Sequence, residues 1–200
     1  MDILHYQKEF LNYLESKNWI EEPKNLYDPI DYILKLGGKR IRPVLTLMAA
    51  DIFSVDFKKA LPASLAVEVF HNFSLVHDDI MDSADLRRGN TTVHKKWDNS
   101  TAILSGDVML ILAYQIFENY EPNIFVPMAT LFSKTAIKVC EGQQLDIDFE
   151  KKQEISFDEY LLMITYKTGV KMLIYFSSIS SINLLGSESI NLPHLYLVIT

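Results

Sequence analysis

The chain has 200 residues, 48% of them hydrophobic and 22% charged, which is enough for one domain with a substantial core. A formal net charge of −7 excludes the general attraction for polyanions expected of a nucleic-acid binder. The single cysteine, Cys140, excludes an internal disulfide and fits a reducing cytoplasm; it reads as a small apolar helix residue rather than a nucleophile.

The N-terminal residues lack the basic and apolar regions of a signal peptide, and no uninterrupted apolar run reaches the length of a membrane span. Over residues 2–16, Ile3, Leu4, Phe10, Leu11 and Leu14 recur at helical spacing. Pro23 and Pro29 punctuate a connector, and Pro29 suits the first turn of a helix that runs to Leu36. Next comes Gly37-Gly38-Lys39-Arg40-Ile41-Arg42-Pro43. Its glycines free the backbone to approach an anion, and Lys39 and Arg42 fall one turn apart where an apolar segment starts. Pro43 suits an early turn of the helix formed by residues 44–50.

Residues 58–82 read as a long Ala- and Leu-rich helix that turns acidic at its C-terminal end, in His71-Asn72-Phe73-Ser74-Leu75-Val76-His77-Asp78-Asp79-Ile80-Met81-Asp82. At the helical repeat, Asp78 and Asp82 lie within about 40° of each other, while Asp79 projects to one side. Two like charges one turn apart make sense with a cation between them, and hard oxygen ligands without thiols point to Mg²⁺. A solvated acidic helix end is the alternative that this motif leaves open. Carboxylates at a helix C-terminus also oppose the helix dipole, a cost for which function is the usual reason. His71 shares roughly the face of Asp78, or is a buried structural histidine; His77 and His94 read as structural or loop residues.

Arg87-Arg88-Gly89-Asn90 follows, a paired arginine in a glycine-containing turn suited to bidentate phosphate recognition. Each basic cluster alone is compatible with solvated charge. An acidic site between two basic ones implies a substrate carrying diphosphate, bridged by Mg²⁺ to the carboxylates. It also leaves room for a second anionic substrate held by arginine and lysine alone.

Residues 100–120 form a helix that is apolar on most sides and therefore expected to be central. Residues 127–148 form another, interrupted only by Gly142; Gln143 and Asp146 lie one turn apart on it, as an exposed helix end or as a second polar wall facing the carboxylates. Residues 157–167 form a last helix, opened by a capping box of Ser156 and Glu159. It ends in Lys167-Thr168-Gly169, an ammonium, a hydroxyl and a glycine suited to a diphosphate oxygen. With no alternating strand pattern and no internal repeat, the fold class is all-α. No Ser-His-Asp or Cys-His arrangement is present. The side chains suit expulsion of a diphosphate leaving group by metal and cation stabilisation, and the apolar helices would line a channel for a hydrocarbon tail.

In order and spacing, the segments GGKRIRP, HNFSLVHDDIMD, RRGNTTVH, LSGDVML, EGQQLD and YKTG resemble the trans-isoprenyl diphosphate synthases, or polyprenyl synthetases, over about residues 34–169. The resemblance implies an isoprenoid-synthase-type helical bundle around a deep central cavity, usually dimeric, of the short-chain farnesyl or geranylgeranyl type. It implies Mg²⁺-dependent condensation of an allylic diphosphate with isopentenyl diphosphate. Asp78 and Asp82 are similar to the Mg²⁺ ligands of the first aspartate-rich motif, and Lys39, Arg42, His71 and Arg88 to the isopentenyl diphosphate site. Arg87, Lys167 and Thr168 resemble binders of the allylic diphosphate, with Gln143 and Asp146 lining the same cavity. Phe73, five residues before Asp78 with small Ser74 beside it, is similar to a family stop that halts chain growth early. The expected product is C20, with C15 as the alternative.

The chain also departs from this family. Family members are longer and carry a second aspartate-rich motif beyond the KTG segment, whereas residues 170–200 contain none and look unlike the family continuation. Residues 1–200 are therefore expected to form a single incomplete domain lacking the C-terminal helices, through truncation, a frameshift or an incompletely predicted reading frame. The alternative function is a catalytically inactive homologue that serves as a binding or regulatory subunit, or has no function. A terpene cyclase ranks behind both, since it does not normally need the GGKRIRP-type site.

Overall fold

Tyr6, Phe10 and Leu14 recur every fourth residue, and helix α1 (Ile3–Glu15) buries all three against the rest of the bundle. The computed structural model describes residues 2–169, in which eight α-helices carry most of the chain. Helix α2 (Lys24–Lys35) starts earlier than the proline pattern predicts, so that Pro29 is an interior residue and not a first-turn one. The reason lies upstream. Pro23 takes the N-cap position and the Glu22 carboxylate accepts from Lys24 N at 3.1 Å, so nucleation does not depend on Pro29. Helix α3 (Ile41–Ile52) holds Pro43 in its first turn, as expected.

A short 3₁₀ turn at Phe57–Ala60 leads into α4 (Leu61–Met81), whose eleven buried residues make it the central element. Between α4 and α5 (Val93–Lys96) lies a feature that the search for alternating strands missed. Leu86–Arg87 (β1) and Asn90–Thr91 (β2) pair antiparallel, with Arg88 and Gly89 between them both at positive φ, as a type I′ hairpin requires. Strands of two residues are too short to show a period.

Helix α6 (Asn99–Phe117) starts at a sound cap, with Asp98 accepting from Thr101 N and Thr101 Oγ1, both at 2.8 Å. It ends earlier than predicted because Tyr120 turns back, donating to Lys59 O at 2.7 Å and accepting from Ala63 N at 3.0 Å. The helix is less central than its composition implies. Ala102, Ser105, Gly106, Met109, Ala113 and Phe117 are buried, with α4 as the main packing partner, while Ile103, Leu104 and Ile111 are exposed. By length and composition alone α6 could cross a membrane; its packing on α4 accounts for one apolar face.

Helix α7 (Pro122–Phe149) is longer than the 127–148 reading: Pro122 opens it with a preset φ, and it runs through both Pro127 and Gly142. Its Phe132 is fully buried, with Phe70, Tyr114 and Phe117 ring centroids 4.8, 4.8 and 5.2 Å away. Helix α8 (Phe157–Ile164) has the predicted capping box, but its α-geometry stops short of Lys167. Thr165–Gly169 form a π-helical turn, the kind of irregularity often found at functional sites. Residues 170–200, which the sequence reading sets apart as atypical, lie outside the described residues.

Candidate active site

The acidic end of α4 faces the π-helical turn. Lys167 Nζ lies 3.6 Å from Asp78 Oδ1 and makes a close ion pair with Asp146 of α7. Burial acts to lower the Lys167 pKa, but the hydrogen bond to Asp146 and the fields of Asp78 and Asp82 outweigh it, so the net shift is upward and the ammonium is secured. Gly142 is what permits this approach. A Cβ there would sit 2.3 Å from Lys167 N and 2.7 Å from the Tyr166 carbonyl carbon, both backbone atoms that cannot rotate away. Gly142→Ala is therefore expected to destabilise the chain by about 1–3 kcal/mol in a denaturant titration. An unchanged denaturation midpoint would show that the turn gives way freely.

The three aspartates have separate roles in the geometry. Asp79 is 1% exposed and accepts from Arg87 Nε at 2.9 Å and from the far end of the same guanidinium; one of its oxygens is buried without a partner. Arg87 Nη2 is 3.9 Å from Asp78 Oδ2, and the hydrogen bond to Asp79 leads the causes that raise the Arg87 pKa. Asp82 caps α4, its N–H bonded to Asp78 O at 2.9 Å. Burial pushes the Asp82 carboxyl up, and so do Asp78, Asp146 and Glu150, against the lowering influence of Lys167. Carboxylates thus crowd around one ammonium, an arrangement that a divalent cation would relieve.

Two adjoining cavities open beside these groups, with Arg42 and His71 in the walls of both. The larger, about 380 Å³, is lined by Phe73, Ser74, His77, Asp78, Met81, Val139, Gln143, Ile147, Lys167 and Thr168 among others. Its walls are mainly apolar, with polar groups at the Asp78–Lys167 side, and the Gln143 amide nitrogen is buried without a hydrogen-bond partner. The smaller, about 230 Å³, is lined by Lys39, Arg40, Ile41, Arg42, Glu68, His71 and Arg88. Arg42 donates to His71 Nε2 at 3.1 Å. Arg88 lies against Gly38, where a Cβ would meet its guanidinium carbon at 2.9 Å, and it donates to Gly37 O. Burial and the neighbouring Arg40, Arg87 and Arg42 lower the Arg88 pKa, with Glu68 offsetting part of that.

The structure therefore gathers Asp78, Gln143, Lys167, Thr168, Phe73 and Ser74 around one cavity and Lys39 and Arg88 around the other, with Arg42 and His71 shared. Arg87, Asp82 and Asp146 line neither; Arg87 and Asp146 reach the site through ion pairs. Sequence reasoning missed Arg40 and Glu68, although a glutamate inside the apolar run Ala66-Val67-Glu68-Val69-Phe70 was a visible signal. It also left His77 as a structural residue, yet His77 lines the larger cavity. Among the described residues, no three acidic, His or Cys side chains converge to cage a metal unaided. The pair Asp78 and Asp82 fits Mg²⁺ in its usual mode, one or two carboxylates completed by substrate phosphates.

The described chain is an all-α bundle in which Asp78 and Lys167 stand at a mainly apolar cavity that adjoins a basic one. The sequence model of the polyprenyl synthetase family matches residues 23–196. A geranylgeranyl diphosphate synthase of Methanosarcina mazei is 42% identical over 76% of this chain and 47% of its own length. A geranylfarnesyl diphosphate synthase of Natronomonas pharaonis is 36% identical over 82% of this chain and 54% of its own. A solved geranylgeranyl pyrophosphate synthase superposes with a TM-score of 0.89 at 52% identity, covering 92% of this chain and 56% of that one. This chain belongs to the polyprenyl synthetase family. It spans about half the length of the curated relatives it matches.

Proposed function

We propose that the chain is a trans-prenyltransferase which joins an allylic diphosphate to isopentenyl diphosphate and yields a short-chain prenyl diphosphate, C20 or alternatively C15. The observation that carries this reading is the pair of adjoining cavities. One is apolar with Asp78, Lys167 and Thr168 at its polar side, and the other is basic, with Lys39, Arg42, His71 and Arg88 in its wall. Two differently built anion sites sharing a wall fit two diphosphate substrates held side by side. Asp78 and Asp82 would hold Mg²⁺, which when bound neutralises charge on the departing diphosphate. Lys167 and Thr168 in the cavity wall bind the allylic diphosphate together with Arg87, with Gln143 on the same wall and Asp146 holding Lys167 from outside it. The allylic C–O bond breaks, and its electron pair leaves with the diphosphate. The isopentenyl double bond then attacks the allylic carbon, a C–C bond forms, and a proton passes from the isopentenyl unit to the released diphosphate as a double bond is restored.

The outward face of α6, with exposed Ile103, Leu104 and Ile111, supports a homodimer in which a second copy covers these side chains. A single cysteine supports a cytoplasmic location. The second reading is a catalytically inactive homologue that serves as a binding or regulatory subunit. Incubation of the purified chain with Mg²⁺, labelled isopentenyl diphosphate and dimethylallyl, geranyl or farnesyl diphosphate separates the two. Magnesium-dependent prenyl product supports the transferase; tight binding of both substrates without product supports the second reading.

A further inference from the structure

Neither the mechanism above nor the motif reading uses the most deeply buried ion pair among the described residues. Arg40 and Glu68 are 5% and 2% exposed, and the Arg40 guanidinium donates to Glu68 and to Leu34 O. Asn72, fully buried one turn further along α4, donates to the same Glu68 oxygen at 3.2 Å and to Glu68 O at 2.7 Å. Arg40 is also the N-cap of α3, in the left-handed region at φ 48°. That conformation is unfavourable for a residue with a Cβ and persists only where surrounding contacts fix it.

The placement of this pair matters more than its burial. Arg40 stands between Lys39 and Arg42, and Glu68 stands one turn before His71 on α4. The start of α3 is thus joined to α4 by two rungs, Arg40 to Glu68 and Arg42 to His71. Glu68 is the one acid among the side chains lining the smaller cavity, where Lys39, Arg40, Arg42 and Arg88 would otherwise repel one another. A carboxylate in direct contact with a diphosphate would weaken its binding, but this one is covered by Arg40 and Asn72.

We propose that the buried Arg40–Glu68 pair positions the basic cavity: it fixes the left-handed turn that aims Lys39 and Arg42, and Glu68 supplies the counter-charge that lets four cations share one pocket. The proposal deepens the reading of that cavity as the isopentenyl diphosphate site and rests on it. Arg40 and Glu68 act through their neighbours and are positioning residues, not catalytic ones.

The test uses the full chain, with calorimetric titration of isopentenyl diphosphate alone and of geranyl diphosphate with Mg²⁺. The double variant Arg40→Met/Glu68→Leu replaces the pair by apolar groups of similar size, a swap that buried ion pairs often tolerate. It is expected to keep its helical circular-dichroism signal and to bind isopentenyl diphosphate about tenfold more weakly, with geranyl diphosphate changed less than about twofold. That split is one which general loss of structure would not produce. Unchanged isopentenyl diphosphate binding, or equal weakening of both ligands, would overturn the positioning role. If the double variant loses its helical signal, Glu68→Gln is measured against the same two ligands with the same expected and overturning results. A wild-type chain that binds geranyl but not isopentenyl diphosphate would overturn the assignment of the cavity and the proposal with it. Binding of neither would remove the reading of the whole site.

Discussion

Asp78→Asn is expected to lower magnesium-dependent prenyl transfer by about a hundred- to a thousandfold, the range seen when one preorganised electrostatic group is lost from an active site. The fold should survive the change, because among the described residues the Asp78 carboxylate makes no ion pair closer than 3.6 Å. Its nearest cations, Lys167 and Arg87, stand 3.6 and 3.9 Å away and are bonded instead to Asp146 and Asp79. The carboxylate lines a cavity with both cations at least 3.6 Å away, which leaves it free for the metal-binding role proposed for it. Isopentenyl diphosphate binding, which the proposal assigns to the neighbouring basic cavity, should change little. Loss of both ligands' binding together with unchanged helicity would sink the division of labour between the cavities.

Asp79, one residue along, should behave in the opposite way. It is 1% exposed and fixed to Arg87 of the hairpin, so removing it strips that guanidinium of its close partner and loosens the turn that carries Arg88. Breaking a buried pair by removing one partner costs stability first. The two adjacent aspartates differ because successive helical positions are about 100° apart, so only one of them can face the cavity while the other faces the core.

That difference shows what was legible in the sequence. The helical character of α1 and the capping box of α8 are local facts, and the fold has both, although Ile3 and Leu4 of the α1 stripe are exposed; of the i, i+4 carboxylates at the end of α4, Asp78 lines a cavity and Asp82 does not. The partners of buried charges are not local. Arg87 reads as a phosphate ligand in a basic turn, and nothing within the RRGN segment says that Asp79 engages it. Arg40 and Glu68 are 28 positions apart, and their pairing follows only from the packing of α3 on α4. Helix ends failed for a related reason. Pro29 and Pro127 lie inside helices because the flanking Pro23 and Pro122 had already started them. The exposed apolar face of α6 was invisible because composition cannot tell a helix buried all round from one with an unpaired face.

Phe73→Ala is expected to lengthen the product, and the structure limits by how much. Phe73 lines the larger cavity on the α4 wall that also bears Asp78. Its ring is held from two sides, with His77 at 4.8 Å and Phe70 at 5.6 Å between ring centroids, while His77 Nε2 lies 3.2 Å from Ile103 O on α6. A side chain braced in this way would give the proposed product chain a rigid floor. Removing the ring leaves Phe70 as the next obstacle, three residues deeper and thus about 4.5 Å further along the helix axis. That distance is comparable to one isoprene unit. Phe70 itself is 2% exposed and packs on Phe132 in the core, so it should not yield. The main product should therefore extend by a single five-carbon step rather than run to long chains, at an overall rate within severalfold of wild type. Because Phe73 is only partly buried, the stability cost should fall below the about 3–5 kcal/mol typical of a core Phe→Ala. Mass spectrometry of the dephosphorylated products decides the matter: an unchanged length distribution would remove Phe73 from the floor, and unlimited lengthening would remove Phe70 from the role behind it.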